Sequence, residues 1–234
     1  MINAKSEIDY LYRGLRALVG FRLQGALAWL RRGHVVRSRA IRDYLVAHPD
    51  GKLHLAATRK LDGFLNSQIL GDVPIDITRP LPLPDRSFVL IYSSHLVEHV
   101  QRRQFTSFLR ESRRILKPGG MHIIATPSAE KIARTVYGLD GPDKAILLDA
   151  GVRFYPEGFN TPGQQLNLTM RAFGHRFLYD LAFMREAGWA AGFANVESID
   201  NFALPDTGLA AYVRTSKKPR WNVETETFVF HAPL

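Results

Sequence analysis

Cysteine is absent from this 234-residue chain, which excludes disulfide staples and thiolate metal sites and leaves His, Asp and Glu as the strong metal ligands. Long apolar runs are missing too. The longest uncharged stretch of the N-terminal region runs only from Leu23 to Leu30, far short of the roughly 20 residues that span a bilayer. The layout of a cleavable signal peptide is also lacking, so neither a transmembrane segment nor a leader is expected. A reduced, cytoplasmic setting is the default that follows. Acidic residues are scarce up to Leu45. Lys5, Arg13, Arg16, Arg22, Arg31, Arg32, Arg37, Arg39 and Arg42 stand there against Glu7, Asp9 and Asp43, so six of the nine net positive charges lie in that stretch. The remainder is close to balanced.

What is present begins with that basic segment. In LYRGLRALVGFRLQGALAWLRRG the apolar Leu15, Leu18, Val19, Leu23, Ala26, Leu27 and Leu30 recur at helical spacing with the arginines mostly off the stripe, the pattern of an amphipathic helix. Such a stripe buries either on the main domain, or on a second copy in a homodimer, or, through residues 11–42, on an anionic membrane surface as a peripheral contact. No interleaved aromatic set and no recognised nucleic-acid motif accompanies the charge, so no specific nucleic-acid partner is expected. Residues 1–48 are therefore read as a helical extension.

At His48-Pro49-Asp50-Gly51 the long helical periods give way to short apolar runs separated by turn residues. Strands are expected at Lys52–Ala56, Phe64–Leu70, Asp72–Thr78, Phe88–Ser93, Met121–Thr126, Val196–Phe202 and Glu226–His231. Helices are expected at Leu96–Leu116 and Arg176–Ala187. Strand, helix, Lys-Pro-Gly-Gly turn, strand is a βαβ unit, which predicts that the strands starting near Phe88 and Met121 are parallel neighbours in one sheet. Hydrophobic residues make up 46% of the chain, enough for a well-buried core in one domain spanning 49–234. The Gly-, Pro- and aromatic-rich connection at about 130–175 is long enough to serve as a lid or binding loop.

His95, Glu98 and His99 spell H-x-x-E-H. On an α-helix two His at i and i+4 share a face and bind zinc while the Glu serves as general base. The string here follows a buried strand and precedes a helix ending in K-P-G-G, a context that accounts for it without metal. No metal at His95 and His99 is expected.

The phrases DITRPLPLPDRSFVLIYSSHLVEHV and RILKPGGMHIIATPS, together with LHLAATRKLDGFLNSQ upstream, resemble the central part of class I S-adenosylmethionine-dependent methyltransferases of the small-molecule "methyltransferase type 11" kind. Weaker similarity continues in HRFLYDLAFMREAGW. The resemblance implies an α/β fold, a Rossmann-like, mostly parallel seven-stranded sheet with helices on both faces, and S-adenosylmethionine as cofactor. It implies methyl transfer to an oxygen or nitrogen of a small-molecule acceptor. By the same likeness Leu55, Ala56, Ala57 and Thr58 form the cofactor turn, Asn66 and Gln68 reach the ribose, Asp76 meets the adenine amino group and Ile77 forms an apolar wall. Ser93, Ser94 and His95 lie at the carboxyl end of the fourth strand, with His95 the candidate base; Tyr155, Glu157, Asn160, Arg171 and His175 are the candidate substrate contacts.

The departures from that pattern matter as well. Ala56 and Thr58 stand where glycines allow a tight approach, Gln68 where an acid binds the ribose hydroxyls, and Val89 where an Asp is common. A cofactor loop so degenerate predicts weaker binding than usual, with Thr58 strained if its φ is positive. Two other readings stay open: a methyltransferase-like binding or assembly protein that has lost the cofactor, and an H-x-x-E-H zinc hydrolase.

Overall fold

The computed structural model describes residues 34–68, 73–138, 145, 161–171, 173–216 and 223–234, the side chains of 34–37 excepted. Thirteen elements follow in order: α1 (His34–Ala47), β1 (Gly51–Leu55), β2 (Leu65–Ser67), β3 (Phe88–Ser94), a 3-10 turn (Val97–His99), α2 (Arg102–Ile115), β4 (Leu116–Pro127), α3 (Ala129–Tyr137), α4 (Pro162–Arg171), α5 (Leu181–Ala190), β5 (Asn195–Ile199), α6 (Thr207–Ser216) and β6 (Thr225–His231). The strands form one sheet in the order β2-β1-β3-β4-β6-β5. Its first four strands are parallel, and β6 runs antiparallel to both β4 and β5.

The βαβ expectation holds, since Leu90 to Ser94 pair in parallel with Met121 to Ala125. The central strands are apolar on both faces because helices cover both. One face carries Leu53, Leu55, Ile91, Ile124, Phe228 and Phe230 against α1, α2 and α5, through Ile41, Phe105, Phe108, Leu109, Met184 and Ala187. The other carries Leu90, Tyr92, Ile123, Ala125 and Val229 against Leu209, Tyr212 and Val213 of α6. In α2 the buried residues Phe105, Phe108, Leu109, Ser112 and Ile115 recur at helical spacing.

Four expectations change. The sheet has six strands among the described residues, not seven. Residues 73–78 form no strand, although Val73, Ile75 and Ile77 are buried in the core; the loop that follows, 81–85, is held by side chains. Arg114 donates to the carbonyls of Leu81 and Leu83 and pairs with Asp85 and Glu111, and Glu111 accepts from the Leu81 amide at 2.7 Å. The expected helix from Leu96 splits, because Val100 is extended between the 3-10 turn and α2. The Lys-Pro-Gly-Gly turn becomes an excursion within β4, where the register jumps from Leu116 to Met121. Gly119 there has φ +70, and a Cβ at Gly120 would stand 3.0 Å from the Lys117 carbonyl and 3.1 Å from that of Val89, so both positions exclude larger residues. No helix among the described residues is long and apolar enough to cross a membrane.

The sheet carries one costly residue. His122 on β4 is fully buried between Phe108 and Phe230, and neither ring nitrogen has a hydrogen-bond partner. Burial pushes its pKa from 6.5 down to about 3. The unfolded chain therefore takes up a proton near pH 6.5 that the folded chain refuses until about pH 3. Stability should fall with acidification across that window by about 1.4 kcal/mol per pH unit from this residue. Denaturant titrations from pH 7 to pH 4 check this: His122→Leu should flatten the slope by close to one proton.

A second expected outcome concerns α5. Intrinsic propensity favours Ala over Gly in a helix by about 1 kcal/mol. A Cβ at Gly188, however, would meet Val196 Cγ2 at 2.4 Å and the Phe230 ring at 3.0 Å. Gly188→Ala should lower the thermal midpoint, by the 1–3 kcal/mol typical of overpacking (roughly), and a rise would show that α5 can shift away from the sheet.

Candidate active site

The parallel strands end at one edge of the sheet, where open α/β folds bind their ligands. After β1 the chain turns at Ala56, whose φ is +54. This is the left-handed conformation for which a glycine is the usual choice. The strained position is therefore Ala56 and not Thr58, which is exposed and lacks a positive φ. The Ala57 amide donates to the Ser67 carbonyl at 2.9 Å, tying the turn to the end of β2. Leu55 and Ala57 are buried, whereas Gln68, just past β2, is exposed.

Asn66 is committed to a local clamp. Its side-chain oxygen accepts from the Leu61 amide at 2.8 Å and its nitrogen donates to the carbonyls of Leu61 and Phe64, both at 2.9 Å. Asp76 is likewise occupied, since Oδ1 accepts from the Thr78 amide and hydroxyl and Oδ2 lies 3.5 Å from Arg79 Nε. Ile77 is a core residue with 6% exposure and offers little wall to a ligand. Ser93 is fully buried with an unpartnered hydroxyl; Ser94 beside it is half-buried.

His95 is the second left-handed residue of this edge, at φ +51. Three contacts hold it there. Its amide donates to the Ala125 carbonyl at 2.8 Å, Nε2 lies 3.0 Å from Thr225 Oγ1, and Nδ1 lies 3.1 Å from Oε1 of Glu98. Glu98 is fully buried, and its Oε2 accepts from the Thr126 hydroxyl at 3.1 Å. Burial opposes its ionisation, but His95 first, then His99 and His175, outweigh that and hold the carboxyl below its usual range. His95 and Glu98 thus form an imidazole–carboxylate pair, an arrangement in which the acid orients the ring and stabilises the imidazolium.

The H-x-x-E-H string does not form a peptidase helix. His95 precedes the 3-10 turn that contains Glu98 and His99, so the two His do not share an α-helical face. Of the expected substrate contacts, Tyr155, Glu157 and Asn160 lie outside the described residues. Arg171 is exposed at the end of α4. His175 turns inward, its Nδ1 against the Thr169 carbonyl and its Nε2 4.0 Å from Glu98 Oε1. Burial above all lowers its pKa to about 4, so it is neutral at pH 7.

Residues that sequence reasoning missed lie on the other half of the edge. An open groove of about 440 Å³ is lined by Lys131, Arg134, Asp200, Asn201 and Glu226, among others. Thr225, one residue away from Glu226, carries the hydroxyl that meets His95, and its carbonyl accepts from Lys131 Nζ and the Asn201 amide. No local motif marks these positions, because antiparallel pairing of β6 with β4 is what brings Thr225 beside Pro127.

Residues 54–124 match the family described as a methyltransferase domain, and this segment holds β2, β3, α2, most of β4 and the last two residues of β1. The match covers under a third of the chain and makes that segment similar to a methyltransferase domain. No curated protein matches the chain in sequence. Among solved structures, one chain of the complex between the Haloferax volcanii Trm112 methyltransferase activator and a candidate methyltransferase is 16% identical, with 90% of this chain and 98% of that one covered at a TM-score of 0.46. A SAM-dependent methyltransferase from Archaeoglobus fulgidus is 14% identical over 84% and 93% of the two chains, at 0.45. A Haemonchus contortus phosphoethanolamine N-methyltransferase 2 in complex with S-adenosyl-L-methionine is 12% identical over 88% of this chain and 53% of its own, at 0.41.

The left-handed turn after β1 yields a test with opposite signs at neighbouring positions. An Ala at positive φ costs roughly 1–2 kcal/mol that Gly avoids, less the entropy Gly adds to the unfolded chain. Ala56→Gly should raise the denaturation midpoint by up to about 1 kcal/mol, while Thr58→Gly should lower it. The reverse order in chemical denaturation would put the strain at Thr58.

Proposed function

We propose that the chain transfers the methyl group of S-adenosylmethionine to an oxygen or nitrogen of a small polar acceptor. The observation that carries this reading is the methyltransferase-domain match over 54–124, because those residues supply the strand ends that gather Ala56, Gln68 and His95 at one edge of the sheet.

The residues fit the cofactor in backbone more than in side chain. The turn over Leu55, Ala56, Ala57 and Thr58 already has the left-handed kink that a close approach to a ligand needs, and it keeps that kink without glycine. Ser93 offers a buried hydroxyl with no partner at the same edge. Gln68 is free to hydrogen-bond a ribose as a neutral group. These residues would hold the cofactor, with Asp76 contributing through whatever lone pairs Thr78 and Arg79 leave. When bound, S-adenosylmethionine supplies an electrophilic methyl group on sulfur.

The rest of the chemistry belongs to side chains of this chain. His95 receives the proton that an acceptor hydroxyl or amine must lose, at Nε2, the nitrogen that now meets Thr225. Glu98, behind Nδ1, orients the ring and stabilises it once protonated. Because Thr225 adjoins the groove, an acceptor lying along Lys131, Asn201 and Glu226 would reach Nε2 by displacing the Thr225 hydroxyl. The mixed charge of that groove suits a polar acceptor rather than an apolar one.

Calorimetric titration with S-adenosylhomocysteine tests the reading. A charged acceptor on a ribose hydroxyl contributes about 1–2 kcal/mol more than a neutral one, so Gln68→Asp should tighten binding about tenfold. Asp76→Ala should weaken it. Absence of binding by both the native chain and Gln68→Asp would overturn the reading in favour of a module that has lost the cofactor.

A further inference from the structure

Glu98, His99 and His175 each present a ligand atom within 4.8 Å of the other two. Glu98 also faces His95, but His99 and His175 have no part in the proton path described above. The order of hydrogen bonds around them points to what is lacking. A carbonyl oxygen only accepts, so the contact of His175 Nδ1 with Thr169 O requires the proton on Nδ1. Nε2 then bears a lone pair, and it faces Oε1 of Glu98 at 4.0 Å. Two acceptors therefore confront each other in a site where the carboxylate is wholly buried and the His175 side chain is only 5% exposed. Apart from its 3.1 Å pairing with His95 Nδ1, Oε1 has no hydrogen-bond partner. The half-buried His99 ring stands edge-on to His175, centroids 5.0 Å apart.

The support around these atoms is built before any ligand arrives. The Glu98 carbonyl accepts from the Arg176 amide at 2.7 Å, the Tyr179 hydroxyl donates to the Val97 carbonyl at 3.0 Å, and the Thr126 hydroxyl holds Oε2. A histidine that donates one ring N–H to a backbone carbonyl while aiming the other nitrogen at a carboxylate has the outer-shell arrangement of a metal ligand.

We propose that Glu98, His99 and His175 bind one divalent transition-metal ion of the zinc class. Two imidazole nitrogens and one carboxylate oxygen suit zinc and its neighbours, whereas calcium and magnesium take oxygen ligands throughout. Bonds of about 2.0–2.2 Å bring ligand atoms closer together than they stand here, and the exposed side of His99 leaves its ring room to swing in. This is a different ligand set from that of a peptidase helix. His95 takes no part, the Glu is a ligand instead of a base, and the third ligand comes from the segment ahead of α5. It reverses for His99 the expectation from sequence, which had no means of placing His175 beside it. The site stands independently of the methyl-transfer reading.

The untagged full chain, stripped with a chelator, is titrated with Zn²⁺ by calorimetry and with Co²⁺ by visible absorption. Saturable one-to-one binding is expected, weakened at least about tenfold by His99→Ala and by His175→Ala, with circular dichroism confirming that each variant folds. His99→Cys should keep cobalt and add a sulfur-to-metal charge-transfer band, which in a chain without cysteine can arise only at that position. Absence of saturable binding, unchanged affinity in both alanine variants, or no charge-transfer band in His99→Cys would each overturn the proposal. Titration with S-adenosylhomocysteine in the same samples reads the cofactor site separately, so failure of one leaves the other standing.

Discussion

A carboxylate with no solvent contact, that of Glu98, sets the conditions that the functional edge must meet. Moving such a charge out of water costs on the order of several kcal/mol unless partners replace the lost hydration. The close partners come from two strand ends: His95 Nδ1, 3.1 Å away at the end of β3, and the Thr126 hydroxyl, also at 3.1 Å, at the end of β4. The Glu98 backbone carbonyl is engaged as well, by the amides of Arg176 and Phe177. Removing any of these would leave an uncompensated buried charge, so the segment after β3, the strand end at β4 and the approach to α5 are positioned together.

That constraint explains why backbone strain is found where it is. His95 sits at a positive φ, which a residue other than Gly holds only when its surroundings over-determine it. Here the Ala125 carbonyl, Thr225 and Glu98 do so. Ala56 is kept in the same region of backbone space by the Ala57–Ser67 hydrogen bond and by burial of Leu55 and Ala57. The two strained residues flank the carboxyl ends of β1 and β3, neighbours in the sheet. Both serve to bend the chain sharply away from a strand at the edge where a ligand is expected.

The two halves of the sheet divide the work unequally. The parallel half, β2-β1-β3-β4, carries the family match and the turn after β1. The antiparallel half, β6-β5, contributes Thr225 and the walls of the groove. His95 stands at the junction and touches both. A core histidine with unpaired nitrogens, His122, lies in the same strand β4 that links the halves; the structure gives it no role beyond packing on Phe108 and Phe230.

By itself the sequence determined the parallel core. Alternating runs, a helical period and Lys-Pro-Gly-Gly are local signals, and β3, α2 and β4 follow from them because short-range propensity and two-sided burial agree there. It also marked Ala56 as occupying a glycine's place, since a turn of that kind needs a conformation that few residue types prefer. It failed at Asp72–Thr78, where Val73, Ile75 and Ile77 alternate like a strand but Arg114 and Glu111 hold the neighbouring loop with side-chain bonds instead of a ladder. It failed also at Leu96–Leu116, where an extended Val100 separates a 3-10 turn from the helix. Only the tertiary structure could decide the company of His95 and Glu98. Thr126, His175 and Thr225 reach them across the sheet and across a long connection, and no spacing in a linear chain encodes which distant hydroxyl or ring will meet a buried carboxylate.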